Sequence, residues 1–266
     1  MRSGWGPRGC RGALSVTFDN LGEAAELEDG RWPAGRALGA HPSVTRALPR
    51  LLAALGALPA TFFVEGWSCA RYPDAVRAIA ARGHEVACHG WRHERWADLG
   101  ADDERTLLER ALATMRGLDV APRGFRPPGG RWTDATPRIL KALGLTYGSP
   151  AGTRRRVDGG FVTVPFAWQA VDAYYFEPLL APVRRALGDD AAPLAPARWR
   201  RELAALRDAC LADGGHRVVI LHPYLLDDDE RLDALADFAA GLAARDDLWV
   251  APCGAVAEGL AGGATG

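Results

Sequence analysis

Lysine is almost missing from this chain of 266 residues: Lys141 is the only one, and arginine carries nearly all the positive charge. We read this as a bias of coding rather than of chemistry. An excess of either charge is also lacking, because 32 basic residues face 33 acidic ones for a net charge of −1. A nucleic-acid binder shows a basic excess or stripe. The short runs Arg154-Arg155-Arg156 and Arg198-Trp199-Arg200-Arg201 read instead as solvated loop and helix surface. The five cysteines (Cys10, Cys69, Cys88, Cys210, Cys253) are scattered, with no Cys-x-x-Cys pair. That argues against a disulfide framework and against a thiolate zinc site. No apolar run approaches the roughly 18 residues of a membrane span. The opening MRSGWGPRGCRG has charge but no apolar region after it, unlike an export signal. The expectation is a cytoplasmic protein whose partner is a small molecule, with neither nucleic acid nor membrane involved.

What is present is an ordinary globular composition, 48% hydrophobic and 24% charged, sufficient for a core without staples. Short apolar runs alternate with longer amphipathic segments, the pattern of a parallel β/α protein. Strands are expected at 14–18, 61–64, 85–88, just before Phe125-Arg126, and at 145–148, 161–164, 218–221 and 248–251. Helices are expected from Ser43 to about Leu55, over 74–82, from an Asp102 cap to Gly117, from Thr133 to Leu143, and over 196–211 and 228–244. About seven β/α pairs and no break in composition predict an α/β fold, a distorted (β/α)7 barrel in one domain over 13–266. Residues 1–12 read as a flexible tail.

Four polar groups follow predicted strands, where the functional face of a parallel β/α fold lies. Asp19-Asn20 ends the first strand. A carboxylate there is costly unless paired or catalytic, although an Asx turn is an equal alternative. His89 and His93 stand four apart, a spacing that suits two imidazoles on one metal. The zinc-protease pattern is excluded, since Gly90 stands where that pattern requires Glu. Arg126 sits in Arg126-Pro-Pro-Gly-Gly130, where its fork can hold a carboxylate and the Gly129 amide can face an oxyanion. His222 leaves a buried strand before Pro223, placed as a general acid, with Asp172 as the carboxylate that orients it. His84, His41 and His216 read as satisfied structural histidines in a strand start, before a helix cap and in a Gly-rich turn.

Together, Thr17-Phe18-Asp19-Asn20, His89-x-x-x-His93, Arg126-Pro-Pro-Gly-Gly130 and Leu221-His222-Pro223 resemble the polysaccharide deacetylase superfamily, carbohydrate esterase family 4. Val164-Pro-Phe-Ala-Trp168 with Asp172, and the tail around Leu221-His-Pro-Tyr, are most similar to the branch with allantoinase-like and peptidoglycan-deacetylase-like members. The resemblance implies a barrel that hydrolyses a non-peptide amide, usually an N-acetyl group. It implies Asp19 as general base, Arg126 as its orienting partner, the backbone after Pro128 as oxyanion hole and His222 as acid. It also implies a divalent metal, zinc first, on Asn20, His89 and His93. Here the sequence departs from the family, which has Asp at position 20. An amide oxygen ligates weakly, which leaves three outcomes open: Asn20 as a weak ligand, Asp19 or Glu23 in its place, or an enzyme that works without metal, as the resemblance to allantoinase-like members implies. A weak metal site is the favoured expectation.

Trp67, Trp91, Trp132, Trp168, Tyr174 and Tyr175 fall near the loops, with Trp91 and Trp168 the candidate substrate walls. The segment 177–215 is expected to cover the pocket, and the loop 21–40 to lie beside it. Two other classes compete with a small-amide hydrolase. One is a catalytically silent ligand-binding barrel, disfavoured because a binder needs neither base nor acid. The other is a Cys88–His93 thiol hydrolase, disfavoured because strand packing explains Cys88.

Overall fold

The computed structural model describes residues 4–263. Its strands are β1 (Gly12–Asp19), β2 (Ala60–Val64), β3 (Glu85–Cys88), β4 (Gly124–Phe125), β5 (Tyr147–Gly148), β6 (Arg156–Asp158), β7 (Phe161–Thr163), β8 (His216–Leu221) and β9 (Leu248–Val250). The sheet runs β6-β7-β5-β4-β3-β2-β1-β8, and every pairing along it is parallel except β6 with β7. Beyond β7 the chain continues upward, with Phe166 bridging to Ala151 and Val171 to Ile220 of β8. Those two bridges carry the ring from β5 round to β8. They close seven parallel strands (β1, β2, β3, β4, β5, β7 and β8) into the expected distorted (β/α)7 barrel. The hairpin strand β6 and the short β9, which pairs with the start of β1, stand outside the ring.

The two-residue period of a strand decides what the barrel encloses. In β1, Leu14, Val16 and Phe18 are buried on the helix side, where Phe18 stacks on Phe62 of β2 at 4.7 Å. The alternate residues Ser15, Thr17 and Asp19 make polar contacts inside the ring. Continued around the ring, the same alternation sends Glu85, Arg126, Ser149 and His222 inward. The interior is therefore a column of polar groups above and below aromatic layers, with Phe63 set edge-on to Tyr147. The parity of each strand relative to its neighbours brings Asp19, His89, Arg126, Ser149 and His222 to one end.

The outer helices follow their apolar spacing. Leu48, Leu51, Leu52 and Leu55 are buried along Leu48–Leu55, each contributing about 1.5–3 kcal/mol of apolar burial. Ahead of them the turn over Ser43–Ala47 is a π-helix. Pro49 has no N–H to return to the preceding turn, which widens. Ser43 is not a helix cap: its Oγ accepts from the Gly22 N–H at 3.0 Å and bonds the His41 ring. Asp102 does not cap either, because Ala101–Arg116 begins one residue earlier with no side-chain cap. Asp228 does cap its helix, accepting from the Arg231 N–H at 3.0 Å. The helix expected from Thr133 begins at Thr136, since the Thr133 hydroxyl accepts the Ala135 N–H and closes a turn first.

Three readings of bland residues change. His216 lies in β8 rather than in a turn, buried, with Nε2 3.0 Å from Ser15 Oγ. His84 is buried beside Phe62 with no hydrogen-bond partner on either nitrogen among the described residues. The described part of residues 1–12 is folded down: Trp5 and Cys10 exchange backbone hydrogen bonds of 2.7 Å, and Trp5 Nε1 donates to Gly214 O.

Gly124 in β4 has no room for a side chain, since a Cβ there would stand 1.9 Å from the Tyr147 ring. Gly124→Ala is expected to destabilise by about 1–3 kcal/mol through displacement of that ring. Urea denaturation reads it, and an unchanged midpoint contradicts this packing.

Candidate active site

The end of the barrel where the strand C-termini meet opens into a cavity of about 200 Å³. Asp19, Asn20, His89, His93, Arg126, Gly129, Trp168 and His222 all line it, so the strand-end residues singled out in the sequence share one hollow.

Arg126 anchors the site. Only 1% exposed, it donates from Nη1 to Asp19 Oδ1 at 2.6 Å and to Thr17 Oγ1 at 2.8 Å. Its Nε and Nη2 donate to Ser149 Oγ at 3.3 and 3.0 Å, and the guanidinium lies 3.9 Å over the Phe63 ring. A buried charge this well paired holds its partner in one orientation. Only Oδ1 of Asp19 is engaged, which leaves the other carboxylate oxygen without a protein partner among the described residues.

Asp172, fully buried, serves His222 twice. Its Oδ2 accepts the His222 backbone N–H at 2.7 Å, and its Oδ1 accepts from His222 Nδ1 at 2.6 Å and from the Ala173 N–H at 2.6 Å. The Nδ1–H donated to a carboxylate fixes the tautomer and leaves Nε2 as the working atom. Burial opposes the imidazolium of His222, but the charge and hydrogen bond of Asp172 outweigh it, helped by Asp19 and Glu177, and its pKa is raised.

His89 and His93 behave oppositely. Burial, opposed only in part by the bond to Arg126 O, takes His89 down to about 3. Burial and the neighbouring His89 take His93 to about 3 as well. Both are neutral imidazoles at neutral pH, as ligands must be. His89 Nδ1 donates to Arg126 O at 2.8 Å, so its Nε2 holds the lone pair. The two ring centroids are 5.1 Å apart. Asn20 and His93 both have left-handed backbones, with φ of 63° and 72°, costly for non-glycine residues and maintained only by surrounding structure. The buried Asn20 Oδ1 has no hydrogen-bond partner.

Two neutral imidazoles and an unpartnered amide oxygen fit a divalent cation of modest affinity. Among the described residues no cluster of three His, Cys, Asp or Glu side chains could hold one. Glu23 is not a replacement ligand: it accepts from Gly39 N–H and from the Tyr72 hydroxyl, away from the cavity. Cys88 is no nucleophile, since burial pushes its thiol up to about 12.

Of the expected walls, Trp168 lines the cavity and Trp91 does not. Trp91 lies under the Arg110 guanidinium, 3.7 Å away on the helix Ala101–Arg116. Trp132 packs against Gly148, and Tyr174 and Tyr175 are core. The cover expected from 177–215 is only its first stretch, with Glu177, Leu179 and Leu180 in the wall. The later helix Pro196–Asp213 runs along the barrel, where the Cys210 carbonyl meets Gly12.

The residues that reasoning from sequence missed are Glu26, Asp29, Arg31, His41, Glu177 and Tyr224 of the wall, and Ser149 and Glu65 behind it. The loop 21–40 supplies the first three, with Arg31 bonded to Asp29 and Glu26 to His41. Ser149 and Glu65 follow strands β5 and β2 directly, so the strand-end criterion already applied to Asp19 and His89 would have found them.

Fold and cavity define the class of protein, a seven-stranded β/α barrel with a ring of ionisable side chains at its strand C-termini. Residues 9–148, just over half the chain, match the family model for polysaccharide deacetylase, and the chain belongs to that family. The peptidoglycan deacetylase of Helicobacter pylori is 31% identical over 103 residues, 38% of this chain and 35% of that protein. A chitooligosaccharide deacetylase of Bradyrhizobium sp. is 37% identical over 81 residues, 29% of this chain and 36% of that one. The matched part thus spans about a third of the length of these curated relatives. Among solved structures, a Mycobacterium smegmatis protein provisionally named a polysaccharide deacetylase is 30% identical at a TM-score of 0.81, covering 96% of this chain and 91% of that one. PuuE allantoinase, 19% identical at a TM-score of 0.76 over the same shares of the chains, has the same fold. No helix among the described residues is long and apolar enough to cross a membrane.

The His222–Asp172 pair gives a direct measurement. A raised folded pKa means that the pairing stabilises most below the unfolded value of about 6.5 and fades as pH rises through the folded value. The His222 Cε1–H resonance should titrate above the ordinary histidine range, and in Asp172→Asn its midpoint should fall by at least about one unit. An unshifted midpoint in that variant removes Asp172 as the controlling charge.

Proposed function

We propose that the protein is a hydrolase of non-peptide C–N bonds that deacylates a small N-acylated compound, an N-acetylated metabolite or amino sugar first. One observation carries this reading: a carboxylate held by Arg126 and an imidazole held by Asp172 border the same small cavity. A base and an acid on one hollow are what amide hydrolysis needs and what a ligand-binding barrel lacks. The cavity, about 200 Å³, is below the roughly 300–1,000 Å³ of drug-sized sites. It suits an acyl group and one ring, or the end residue of a longer chain. The five cysteines, all buried and unpaired, fit the reducing compartment in which such metabolites occur.

In the proposed reaction Asp19, oriented by Arg126, takes the proton from the attacking water with its unpartnered oxygen. The Gly129 amide stabilises the developing oxyanion. His222 Nε2 gives its proton to the leaving amine, while Asp172 Oδ1 keeps the Nδ1–H and supports the charged ring. A divalent cation, zinc in the first instance, would be held by His89, His93 and Asn20 and would supply Lewis acidity. The neutral donor set favours a second reading, in which an allantoinase-like amide hydrolysis proceeds without metal.

Acetate and ammonia release from acetylated sugars, chitooligosaccharides, peptidoglycan fragments, N-acetyl amino acids and ureides, with and without chelator, tests both. Turnover is expected for at least one small amide, and Asp19→Asn should lower kcat by about 10²–10⁴-fold. Full rate in chelator selects the metal-free reading. No release from any compound by protein supplied with zinc or cobalt overturns the hydrolase.

A further inference from the structure

His89 and His93 stand four residues apart, yet residues 89–94 belong to no helix among the described residues. The shared face of a helical turn is therefore not what brings the two rings together. The His89 residue is fixed directly: its backbone N–H donates to Val64 O at 3.0 Å and its Nδ1 to Arg126 O at 2.8 Å. The His93 ring makes no hydrogen bond among the described residues, and its backbone is left-handed, with φ of 72°. The course of the turn that carries it decides where this ring lies.

Glu94 closes that turn. Its Oε2 accepts the Trp91 N–H at 3.0 Å and its Oε1 the Arg92 N–H at 2.7 Å, and the residue is buried. Two successive backbone N–H groups form a concavity suited to the oxygens of an anion. Here those oxygens belong to the residue after His93, so the side chain folds back and bends the chain between the two histidines. The opposite edge of the turn is held as well. The carbonyls of Gly90 and Trp91 accept the N–H groups of Gly66 and Trp67, at 3.0 and 2.8 Å, at the start of the helix Gly66–Arg71. Gly90 makes room for the carboxyl: with φ of 81°, a Cβ there would stand 2.8 Å from Glu94 Oε2. Burial raises the pKa of Glu94, and the N–H groups that donate to it oppose the rise. A carboxyl keeps acceptor capacity in either protonation state, whereas the NH2 of an amide has none.

We infer that Glu94 is a positioning residue for the candidate metal centre: by capturing the N–H groups of Trp91 and Arg92 it fixes the turn that sets the His93 imidazole beside His89, with ring centroids 5.1 Å apart. The inference deepens the reading of His89 and His93 as ligands and rests on it for the consequence in metal affinity. A helix would fix such a pair through its own backbone bonds. A loop lacks those bonds, and here a side chain supplies the constraint. The left-handed conformation at His93 is costly, and it persists because the turn on its N-terminal side is bonded on both edges. Groups that orient ligands in this way are worth about 10–100-fold in metal affinity.

The test is Glu94→Gln, which keeps size and shape but leaves one of the two N–H groups facing NH2 instead of oxygen. Metal-free protein gives two readouts by nuclear magnetic resonance. The Trp91 and Arg92 amides should exchange slowly in the unaltered protein, and at least one of them about 10-fold faster in Glu94→Gln. The nuclear Overhauser contact between the ring protons of His89 and His93 should be present in the unaltered protein and lost or weakened in the variant. Cobalt(II) alone, titrated by its visible absorption and by calorimetry, should bind Glu94→Gln at least about 10-fold more weakly. A merely structural glutamate would lower the urea midpoint while leaving the ring contact and the cobalt affinity of the folded protein as they are. Fast exchange of both amides in the unaltered protein overturns the inference without any variant. An unchanged ring contact, or equal cobalt affinity in the two proteins, overturns it too. Should the unaltered protein bind no cobalt, the metal centre falls and the ring contact alone decides on Glu94. No readout involves hydrolysis, so these results stand apart from the fate of the proposed reaction.

Discussion

The contact between Arg126 and Asp19 organises the upper half of this barrel. A guanidinium 1% exposed is costly in a protein interior unless it is paired and hydrogen-bonded, and Asp19 supplies the anion. Around the pair, Thr17 and Ser149 take the remaining donors and Phe63 lies under the plane. The interaction therefore ties β1, β2, β4 and the exit of β5 together across the lumen, which no sheet hydrogen bond does. It also restricts Asp19 to one orientation, with a single oxygen toward the cavity. Stability and chemistry draw on the same contact. Net stabilisation from a buried pair of this kind is small, while removal of either partner alone costs about 3–5 kcal/mol.

The second pair, Asp172 with His222, repeats the arrangement. Asp172 reaches His222 through the backbone and the ring at once, so the imidazole is positioned next to the bridge at Val171 that closes the barrel. Ring closure and orientation of the His222 imidazole are one structural event.

Much of this was legible in the chain because strands have a period of two and functional groups follow them. Asp19, His89, Arg126 and His222 each stand one or two residues beyond an apolar run, and all four meet in the cavity. Asp172 was singled out as the partner of His222 from the need of a buried imidazole for an orienting carboxylate, although it stands 50 residues away in sequence. The wall residues Glu26, Asp29, Arg31 and His41 were not legible, because the loop that carries them has no periodicity and is placed by tertiary contacts such as Tyr72 to Glu23. Trp91 shows the converse error. Proximity in sequence to His89 and His93 implied a shared surface, but the left-handed turns at Gly90 and His93 direct the indole to Arg110 instead.

Arg184 has a consequence for how such a barrel diversifies. Its buried guanidinium donates to the carbonyls of Tyr174, Glu177, Asp190 and Ala191, gathering both ends of the stretch that carries Glu177, Leu179 and Leu180 into a single clasp. None of those carbonyls belongs to the lumen. Residues enclosed by the clasp form one side of the cavity wall, apart from the strands that carry Asp19 and lead to His222. Differences in wall shape between such barrels can thus be confined to one tethered patch.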